Sequence, residues 1–405
     1  MSRSVFVKLL IPLLLLSLCL TAAGILPLWA VDETPVNSTK TPTAIHTAVP
    51  LAGEEPLPCK SAVLMEASTG QVLYAQNPDE AMPPASVTKI MTLLLVMECI
   101  EAGSLSWEDT VTASAHAASM GGSQIFLKEG ERMSARDLIK SVVIASANDA
   151  AVALAEHTYG SEEAFVARMN RRAAELGMTA TRFENTNGLD DTAVNHVTSA
   201  MDIAIMSRAL IRHREILTYS ATWMDTIRDG AFGLTNTNRL VRFYRGCNGL
   251  KTGSTQKAGF CVSVTAEREG MTLICVIMGA ESRDARNAAA ARLLDRGFAS
   301  YGLYTAPEGE LAPLRVTGGE GESVALRYPA FTAVLPKGDV SAVEHTVTLP
   351  PSVKAPIRKD EAVGKITYTC KGQVIGEVAV TAAEGVEELE FFSLWWRLVR
   401  AFVGR

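Results

Sequence analysis

The chain has 405 residues, a formal net charge of −6 at pH 7 and a hydrophobic fraction of 48%. This length accommodates two domains with a sizeable core. The acidic balance and the low aromatic fraction of 6% argue against a nucleic-acid-binding surface, so no nucleic-acid partner is expected. Neither paired C-x-x-C motifs nor an H-E-x-x-H motif occurs, and the sequence therefore gives no sign of a metal site.

Residues 1–30 have the composition of an export signal. Arg3 and Lys8 precede an uncharged apolar run from residue 9 to residue 30, with alanines that are candidate cleavage sites. The run is also long enough to span a bilayer, so an uncleaved N-terminal anchor is the alternative. In either case the rest of the chain is expected to be exported. Residues 31–55 are rich in Thr, Pro, Ala and Val without periodicity, which predicts a flexible linker.

A serine and a lysine stand at the start of the first strongly apolar segment after the linker. Ser86 and Lys89 follow two prolines and precede an apolar run over residues 90–97. This pattern predicts a loop and then the N-terminus of a buried helix, with both side chains on one helix face. A lysine among apolar residues is expected to be desolvated. Desolvation favours the neutral amine, which can take the serine proton.

A second polar segment, Ser146-Ala147-Asn148, lies between two helical stretches predicted over residues 135–144 and 149–157. On a loop, the Ser146 hydroxyl can relay a proton and the Asn148 side chain can hold a substrate amide. The alternative is a helix cap, because Ser, Asn and Asp favour that position. A cap explains one polar residue better than it explains three in a row.

A third segment, Lys251-Thr252-Gly253, precedes two runs that predict strands over residues 258–267 and 271–278. We expect the triplet to lie on a strand beside that hairpin. Because Lys251 would be a second cation, it should further disfavour a charged general base and attract a substrate carboxylate.

The neighbours of this lysine have complementary chemistry. Thr252 would offer a hydroxyl to the same carboxylate, and Gly253 would admit a substrate backbone because it has no side chain. The next backbone N–H, that of Ser254, is a candidate donor to an oxyanion.

Each motif is weak by itself, since S-x-x-K occurs again at residues 254–257. The ordered set S-x-x-K, S-x-N and K-T-G is that of penicillin-recognising serine enzymes. With these motifs, the chain resembles the low-molecular-mass penicillin-binding proteins that are serine D-alanyl-D-alanine carboxypeptidases, over nearly the whole exported part.

A further stretch, residues 183–190 followed by His196 and residues 199–202, is similar to the family pattern F-x-N-P-H-G-L-D…H-x-x-T-A-x-D. This chain departs from the pattern where Thr186, Asn187 and Ser199 replace the usual Pro, His and Thr. The departures leave the three motifs intact and change residues that help to set the conformation of the loop.

The resemblance implies an α/β (α+β) DD-peptidase/β-lactamase-like catalytic domain over residues 56–304, with an antiparallel sheet flanked by helices and a helical subdomain. It implies that the terminal D-alanine is removed from peptidoglycan stem peptides through an acyl-enzyme, with β-lactams as inhibitors and without a metal or organic cofactor. Implied catalytic residues are Ser86, Lys89 and Ser146. Implied substrate-binding residues are Asn148, Lys251, Thr252, Gly253, Ser254 and Arg286.

Two other functions stay open. A serine β-lactamase would use the same motifs, although the E-x-x-L-N segment on which fast deacylation relies in its commonest class is absent here. The second alternative is a penicillin-sensing or wall-binding protein that is acylated without turnover. The absence of G-x-S-x-G argues against an α/β-hydrolase.

Beyond residue 304, alternating apolar residues punctuated by Pro and Gly predict a small all-β domain over residues 305–385. Residues 386–405 include two tryptophans with interspersed arginines at helical spacing. This pattern predicts an amphipathic helix that lies in the lipid interface, and a helix packed on the β domain is the alternative. We therefore expect the protein at the outer face of the bacterial cytoplasmic membrane.

Cys247 and Cys261 flank the third motif at a separation that a hairpin could close. An exported location would permit a disulfide between them. Two ordinary strand cysteines are an equal alternative, and the sequence does not decide between the two.

Overall fold

The computed structural model describes residues 56–190 and 193–389, together with Trp395. The predicted export segment and linker, and most of the predicted C-terminal helix, therefore lie outside the described residues. In the part of the chain that is described, no helix combines the length and the apolar composition that crossing a bilayer requires.

The strands of the described residues, in chain order, are β1 (Ser61–Glu66), β2 (Val72–Gln76), β3 (Thr110–Thr112), β4 (Arg132–Ser134), β5 (Met224–Ile227), β6 (Phe232–Thr235), β7 (Cys247–Thr255), β8 (Gly259–Arg268), β9 (Met271–Ala280), β10 (Tyr301–Ala306), β11 (Gly309–Thr317), β12 (Ser323–Tyr328), β13 (Phe331–Pro336), β14 (Val343–Thr348), β15 (Val353–Lys354), β16 (Ala362–Cys370) and β17 (Gln373–Ala382).

The α-helices of the same residues are α1 (Lys89–Glu101), α2 (Ala115–Ala118), α3 (Ala135–Lys140), α4 (Asn148–Tyr159), α5 (Glu162–Glu175), α6 (Ala200–Leu210), α7 (Glu215–Ser220), α8 (Leu240–Phe243) and α9 (Arg283–Ser300). Short 3₁₀ turns occupy Ala85–Thr88 and Lys337–Ala342, and a π-helical turn occupies Ser141–Ala145.

The catalytic domain is built on a five-stranded antiparallel sheet in the order β2-β1-β9-β8-β7. Successive residues of β1 point to opposite faces. Val63 and Met65 enter the core that contains α1 and α6, whereas Ala62 and Leu64 enter the core that contains α9. Helices therefore cover both faces, which explains why β8 and β9 are nearly continuous apolar runs. The predicted α+β architecture is confirmed.

Helix α1 is the central element of the helical subdomain. Its residues are almost all buried, around the whole circumference of the helix, and a helix that is apolar all round must lie in an interior. It packs against α4, α5 and α6. Because α1 begins at Lys89, its N-terminus brings the S-x-x-K motif to the edge of the sheet, where β7 lies.

The predicted helix over residues 135–144 has a different end in the structure. Helix α3 stops at Lys140, the chain continues as the π-helical turn, and this turn ends at Ser146, whose φ of 63° is left-handed. The following helix α4 begins at Asn148. The predicted loop between the two helices is therefore a tight reversal centred on Ser146 and Ala147.

The C-terminal domain is all-β, as predicted. Its six-stranded sheet has the order β14-β16-β17-β12-β11-β15, and β10 pairs with β13 beside it. The expected boundary between residues 304 and 305 falls inside β10. Val386 and Glu388 form isolated bridges with Ile357 and Gly319, so the first residues of the predicted helix over 386–405 complete the β domain instead.

The strand register excludes a disulfide between Cys247 and Cys261. Cys247 lies opposite Ala266, and Cys261 lies opposite Gly253. Six residues of extended strand separate the two positions by about 20 Å, whereas a disulfide needs Cα atoms within about 7 Å. Both are free thiols, which corresponds to the alternative of ordinary strand cysteines.

Candidate active site

The S-x-x-K motif forms a 3₁₀ turn that leads into α1. Ala85, the residue before the serine, has a left-handed φ of 49°, and the Thr88 hydroxyl donates to its carbonyl oxygen at 2.8 Å. A non-glycine residue in this conformation is strained, and strain of this kind concentrates at functional sites. The turn leaves Ser86 half-buried at the N-terminus of the helix.

The side chains of Ser86 and Lys89 are in direct contact. The Nζ atom of Lys89 lies 2.9 Å from the Oγ atom of Ser86 and also donates to the carbonyl oxygen of Asn187 at 2.7 Å. Lys89 is completely buried. Burial, and secondly the positive charge of Lys251, hold the pKa of Lys89 well below its ordinary value. This shift favours the neutral amine, which can accept a proton from Ser86.

A buried carboxylate opposes part of this effect. Asp149, in the first turn of α4, accepts hydrogen bonds from the backbone N–H groups of Ile125 and Leu127. Its negative charge raises the pKa of Lys89, but less than burial and Lys251 lower it. The sequence interpretation did not assign a role to Asp149, although it directly follows the S-x-N motif.

The S-x-N motif contains two buried polar side chains, Ser146 and Asn148. The Asn148 Nδ2 atom donates to the Gly121 carbonyl oxygen at 2.7 Å, while its Oδ1 atom is buried without a partner in the described residues. An unsatisfied buried oxygen is a ready acceptor for a substrate N–H. The N-cap of α4 is Ala147 and makes no side-chain capping bond, so the helix-cap alternative does not account for Ser146 or Asn148.

The K-T-G motif lies on β7, an edge strand of the sheet, which contacts the 3₁₀ turn of Ser86. Lys251 is buried, and its Nζ atom donates to the Thr252 carbonyl oxygen at 2.9 Å. Burial, and secondly the charge of Arg286, lower the pKa of Lys251 to about 7. A substrate carboxylate would raise this pKa again, because an opposite charge favours the protonated amine.

Gly253 has a different role from the one that its sequence context indicates. A Cβ atom at this position would lie 2.8 Å from the Ser86 nitrogen and 2.9 Å from the Pro84 oxygen. The space that the glycine leaves is filled by the turn of the nucleophile and is not open to a substrate. Ser254, the next residue, is exposed, and on an edge strand its backbone has no second neighbouring strand.

Arg286 lies in the first turn of α9 and is buried. Its Nη1 atom donates to the Cys261 carbonyl oxygen at 3.3 Å, and its Nε and Nη2 atoms donate to the Asn287 side chain. Burial lowers the pKa of Arg286 to about 10. Among the described residues, no carboxylate forms an ion pair with either Arg286 or Lys251. Two buried cations without an acidic partner are suited to an anionic ligand.

Three further groups of the site escaped the sequence interpretation. The Asn187 carbonyl oxygen accepts from Lys89, and the Thr237 hydroxyl accepts from the Thr252 hydroxyl at 2.8 Å. The His196 Nε2 atom lies 2.8 Å from the Thr88 hydroxyl. The family pattern includes Asn187 and His196, but these contacts join residues that are far apart in sequence, so the pattern did not reveal their roles.

The hydrogen bonds of His196 assign its tautomer. Its Nδ1 atom accepts from the backbone N–H of Glu184 at 3.0 Å, so the proton of the neutral ring is on Nε2 and is donated to Thr88. Burial lowers the pKa of His196 to about 4. The ring is therefore neutral at physiological pH and supports the turn that carries Ser86.

A separate cavity of about 330 Å³ is lined by Glu66, Arg208, Arg212 and Thr272 among others, and it contains none of the motif residues. The S-x-x-K and K-T-G motifs meet elsewhere, where the 3₁₀ turn of Ser86 contacts the edge strand β7.

Comparisons with known proteins agree with this geometry. Residues 49–282 match the family described as D-alanyl-D-alanine carboxypeptidase, and residues 308–388 match the penicillin-binding protein 5 C-terminal domain. The D-alanyl-D-alanine carboxypeptidase DacF of Bacillus subtilis (strain 168) is 40% identical over 342 residues, which cover 82% of this chain and 87% of that protein.

Solved structures extend the similarity to the fold. Penicillin-binding protein 5 from Haemophilus influenzae is 31% identical with a TM-score of 0.73, and the match covers 83% of this chain and 99% of that one. Penicillin-binding protein D2 from Listeria monocytogenes, in its ampicillin-bound form, is 32% identical with a TM-score of 0.56. That match covers 61% of this chain and 100% of the Listeria chain.

Proposed function

The chain belongs to the D-alanyl-D-alanine carboxypeptidase family and is a serine-type D-alanyl-D-alanine carboxypeptidase, and we propose that Ser86 is its nucleophile and Lys89 its general base. The observation that carries this proposal is the 2.9 Å separation between the Lys89 Nζ atom and the Ser86 Oγ atom. Because burial favours the neutral form of Lys89, the lone pair of its amine can take the hydroxyl proton as the serine attacks.

The substrate is a peptidoglycan stem peptide that ends in D-Ala-D-Ala. Its terminal carboxylate binds toward Lys251, Thr252 and Arg286, since the two buried cations lack an acidic partner in the described residues. The partnerless Oδ1 atom of Asn148 accepts an N–H of the peptide. Gly253 keeps β7 close to Ser86, so that the bound peptide lies against the nucleophile.

The reaction proceeds in two steps. The Ser86 oxygen attacks the carbonyl carbon of the penultimate D-alanine while Lys89 takes its proton, and the backbone N–H groups of Ser86 and Ser254 stabilise the oxyanion. The C–N bond then breaks, and the departing D-alanine amine takes the Ser146 hydroxyl proton while Ser146 takes the proton that Lys89 accepted from Ser86. Water hydrolyses the ester and restores Ser86. A β-lactam acylates the same oxygen but leaves a slowly hydrolysed ester.

The two S-x-x-K lysines provide a matched test. The exported chain and its Ser86→Ala, Lys89→Ala and Lys257→Ala variants are incubated with diacetyl-Lys-D-Ala-D-Ala and with labelled penicillin. Lys257 is exposed, and its Nζ atom donates to the Asp190 carbonyl oxygen at 3.0 Å. The first two variants should lose D-alanine release and acylation, whereas Lys257→Ala should keep both. D-Alanine release that survives Ser86→Ala would contradict the assignment of the nucleophile.

The same assay separates the alternatives. Free D-alanine together with a long-lived penicillin adduct supports the carboxypeptidase. Rapid hydrolysis of penicillin would favour a β-lactamase, and an adduct without D-alanine release would favour a sensor of β-lactams.

For the location, we propose that residues 1–30 direct export, that residues 31–55 link the domains to this segment, and that the C-terminal segment holds the enzyme at the outer face of the cytoplasmic membrane. The support is sequence composition: Trp395 and Trp396 are followed by Arg397 and Arg400, a combination suited to the lipid interface.

A truncation tests the membrane proposal. The exported chain and a version that ends at residue 389, after the last described residue of the β domain, are mixed with vesicles of anionic phosphatidylglycerol or of neutral phosphatidylcholine. Co-sedimentation of the longer chain alone, stronger with the anionic vesicles, is expected. Equal binding of both versions would contradict the proposal.

A further inference from the structure

The Asn187 carbonyl oxygen, which accepts a hydrogen bond from Lys89, lies on the loop formed by residues 185–189. In this loop the chain departs from the family pattern. Thr186 and Asn187 stand where Pro and His are usual. Proline has a fixed φ and no N–H. Threonine brings a free backbone N–H and a hydroxyl, and both donors need acceptors when the loop is buried. Thr186 is completely buried.

Both donors of Thr186 reach one carboxylate oxygen. The Oε1 atom of Glu162 accepts from the Thr186 N–H at 3.0 Å and from the Thr186 hydroxyl at 2.8 Å. Glu162 is the first residue of α5, where the helix N-terminus favours a negative charge. Its Oε2 atom lies 2.7 Å from the His116 Nε2 atom, and this hydrogen bond raises the pKa of His116. The carboxylate is thus fixed from both ends.

Helix α1 holds the other side of the same loop. The Thr92 hydroxyl donates to the Thr186 carbonyl oxygen at 2.5 Å, and Lys89 donates to the Asn187 carbonyl oxygen at 2.7 Å. Lys89 and Thr92 are one helical turn apart, so they meet two successive carbonyl groups of the loop. Residues 186 and 187 are consequently fixed between α1 on one side and the Glu162 carboxylate on the other.

The direction of the Asn187 carbonyl matters for catalysis. A neutral amine has one lone pair, which must face the Ser86 hydroxyl to take its proton. The Asn187 oxygen accepts one N–H of Lys89 and thereby limits rotation of the amine. A displaced carbonyl would turn the lone pair away from Ser86 and slow acylation, without altering the residues that bind the substrate carboxylate.

We propose that Glu162 is a positioning residue for the reaction: through its two hydrogen bonds to Thr186, it holds the Asn187 carbonyl that orients the Lys89 amine. Its hydrogen bonds restrain a position of the loop at which a proline, the usual residue of the family pattern, would restrain the backbone by its fixed φ. The proposal rests on the role of Lys89 as the general base.

The test compares two neighbouring glutamates in the full exported chain. Glu162→Ala removes the acceptor of Thr186. Glu163→Ala removes the same charge from the same helical turn, at an exposed position. We expect Glu162→Ala to lower kcat for D-alanine release and the rate constant of acylation by labelled penicillin about tenfold or more, because small misplacements of reacting groups slow reactions strongly. KM should change less than about twofold, and Glu163→Ala should match the wild type.

Two further variants distinguish positioning from a general loss of stability. Glu162→Gln keeps a side-chain oxygen for Thr186 and should retain most of the acylation rate. Thr186→Val loses one of the two hydrogen bonds, should slow acylation to a smaller extent, and should have no further effect in the Glu162→Ala background. An unchanged kcat in Glu162→Ala would overturn the proposal. Equal losses of acylation rate in Glu162→Gln and Glu162→Ala would also overturn it. So would additive effects of Glu162→Ala and Thr186→Val on the acylation rate.

The rescue experiment uses the family's own residue. Thr186→Pro removes the N–H and the hydroxyl together, so it leaves no unpaired donor when Glu162 is absent. The double variant Glu162→Ala, Thr186→Pro should therefore acylate faster than Glu162→Ala alone. A double variant that is as slow as Glu162→Ala would contradict the proposed equivalence between the carboxylate and the proline.

Failure of this proposal is distinguishable from failure of the proposed function. Acylation by penicillin needs Ser86 and its base but no release of D-alanine. A wild-type chain that is acylated and releases no D-alanine would contradict the carboxypeptidase and leave the acylation test of Glu162 in force. Acylation that survives Lys89→Ala would overturn the premise about the base, and with it the role of Glu162.

Discussion

Gly253 on β7 packs directly against the backbone of Ser86. A Cβ atom on Gly253 would lie 2.8 Å from the Ser86 nitrogen and 2.9 Å from the Val87 nitrogen, closer than carbon approaches backbone atoms without displacement. This contact therefore sets the spacing between the nucleophile and the strand that carries Lys251. The triplet K-T-G needs its glycine for the assembly of the site, before any substrate binds.

Replacement of Gly253 by alanine should push the 3₁₀ turn and β7 apart. We expect Gly253→Ala to slow penicillin acylation about tenfold or more and to lower the free energy of unfolding by about 1–3 kcal/mol. Gly233→Ala on β6 is the matched control, because no heavy atom lies within 4 Å of its added Cβ. Acylation rate constants and denaturant unfolding measure both effects. Equal acylation by the two variants would contradict the close contact.

The pH dependence of acylation should respond to Lys251. The charge of Lys251 is the second cause, after burial, that lowers the pKa of Lys89. Lys251→Gln removes that charge and raises the pKa of Lys89, so less neutral amine is present at acid pH. In a plot of acylation rate against pH, the decrease on the acid side should therefore move to higher pH in Lys251→Gln. The Lys257→Gln variant should leave this decrease at the pH of the wild type. A decrease that moves to lower pH would show that Lys251 does not disfavour the charged form of Lys89.

His196 should make the folded state sensitive to acid. Its pKa is about 4 in the folded protein, below the ordinary value of 6.5. Between these values the unfolded chain binds a proton that the folded chain does not, so stability is full above pH 6.5 and falls as the pH drops toward 4. The loss is on the order of 3 kcal/mol.

Denaturant unfolding at several pH values measures this dependence. His196→Gln should have a shallower loss of stability over that interval, and His157→Gln, at an exposed position on α4, should behave as the wild type. Parallel pH profiles for the His196 variant and the wild type would contradict the assignment of the slope to His196.

Recognition of the substrate carboxylate should depend on Arg286. The wild type should prefer a peptide with a free C-terminal carboxylate over the same peptide with a C-terminal amide. In Arg286→Gln this preference in kcat/KM should shrink about tenfold, since a hydrogen bond to a charged group contributes roughly 1.5–3 kcal/mol. Arg283→Gln, at an exposed position in the same helical turn, is the control. An undiminished preference in the Arg286 variant would remove this residue from the substrate-binding set.

Local composition was sufficient to predict the elements that carry the motifs. The long apolar run after Lys89 is a buried helix, and the two apolar runs after Gly253 are the buried strands β8 and β9, because the length of an apolar run and the turn residues that flank it are properties of short segments. Element ends were less predictable. The predicted helix over residues 135–144 changes to a π-helical turn after Lys140, and this turn ends at the left-handed Ser146. The C-terminal residues 386 and 388 bridge to Ile357 and Gly319, which are far away in sequence.

The sequence by itself determined which side chains are available for acyl transfer, since Ser86 and Lys89 lie on the same turn and their pairing is local. The sequence led us to expect that burial and Lys251 disfavour a charged Lys89, but only the tertiary structure decided that both act on it and how its amine is oriented. Its amine is oriented by Asn187, which is 98 residues away in sequence, and its pKa is lowered by burial and by Lys251 on another element. Desolvation and electrostatic interactions depend on distance in space, and a linear sequence does not contain those distances.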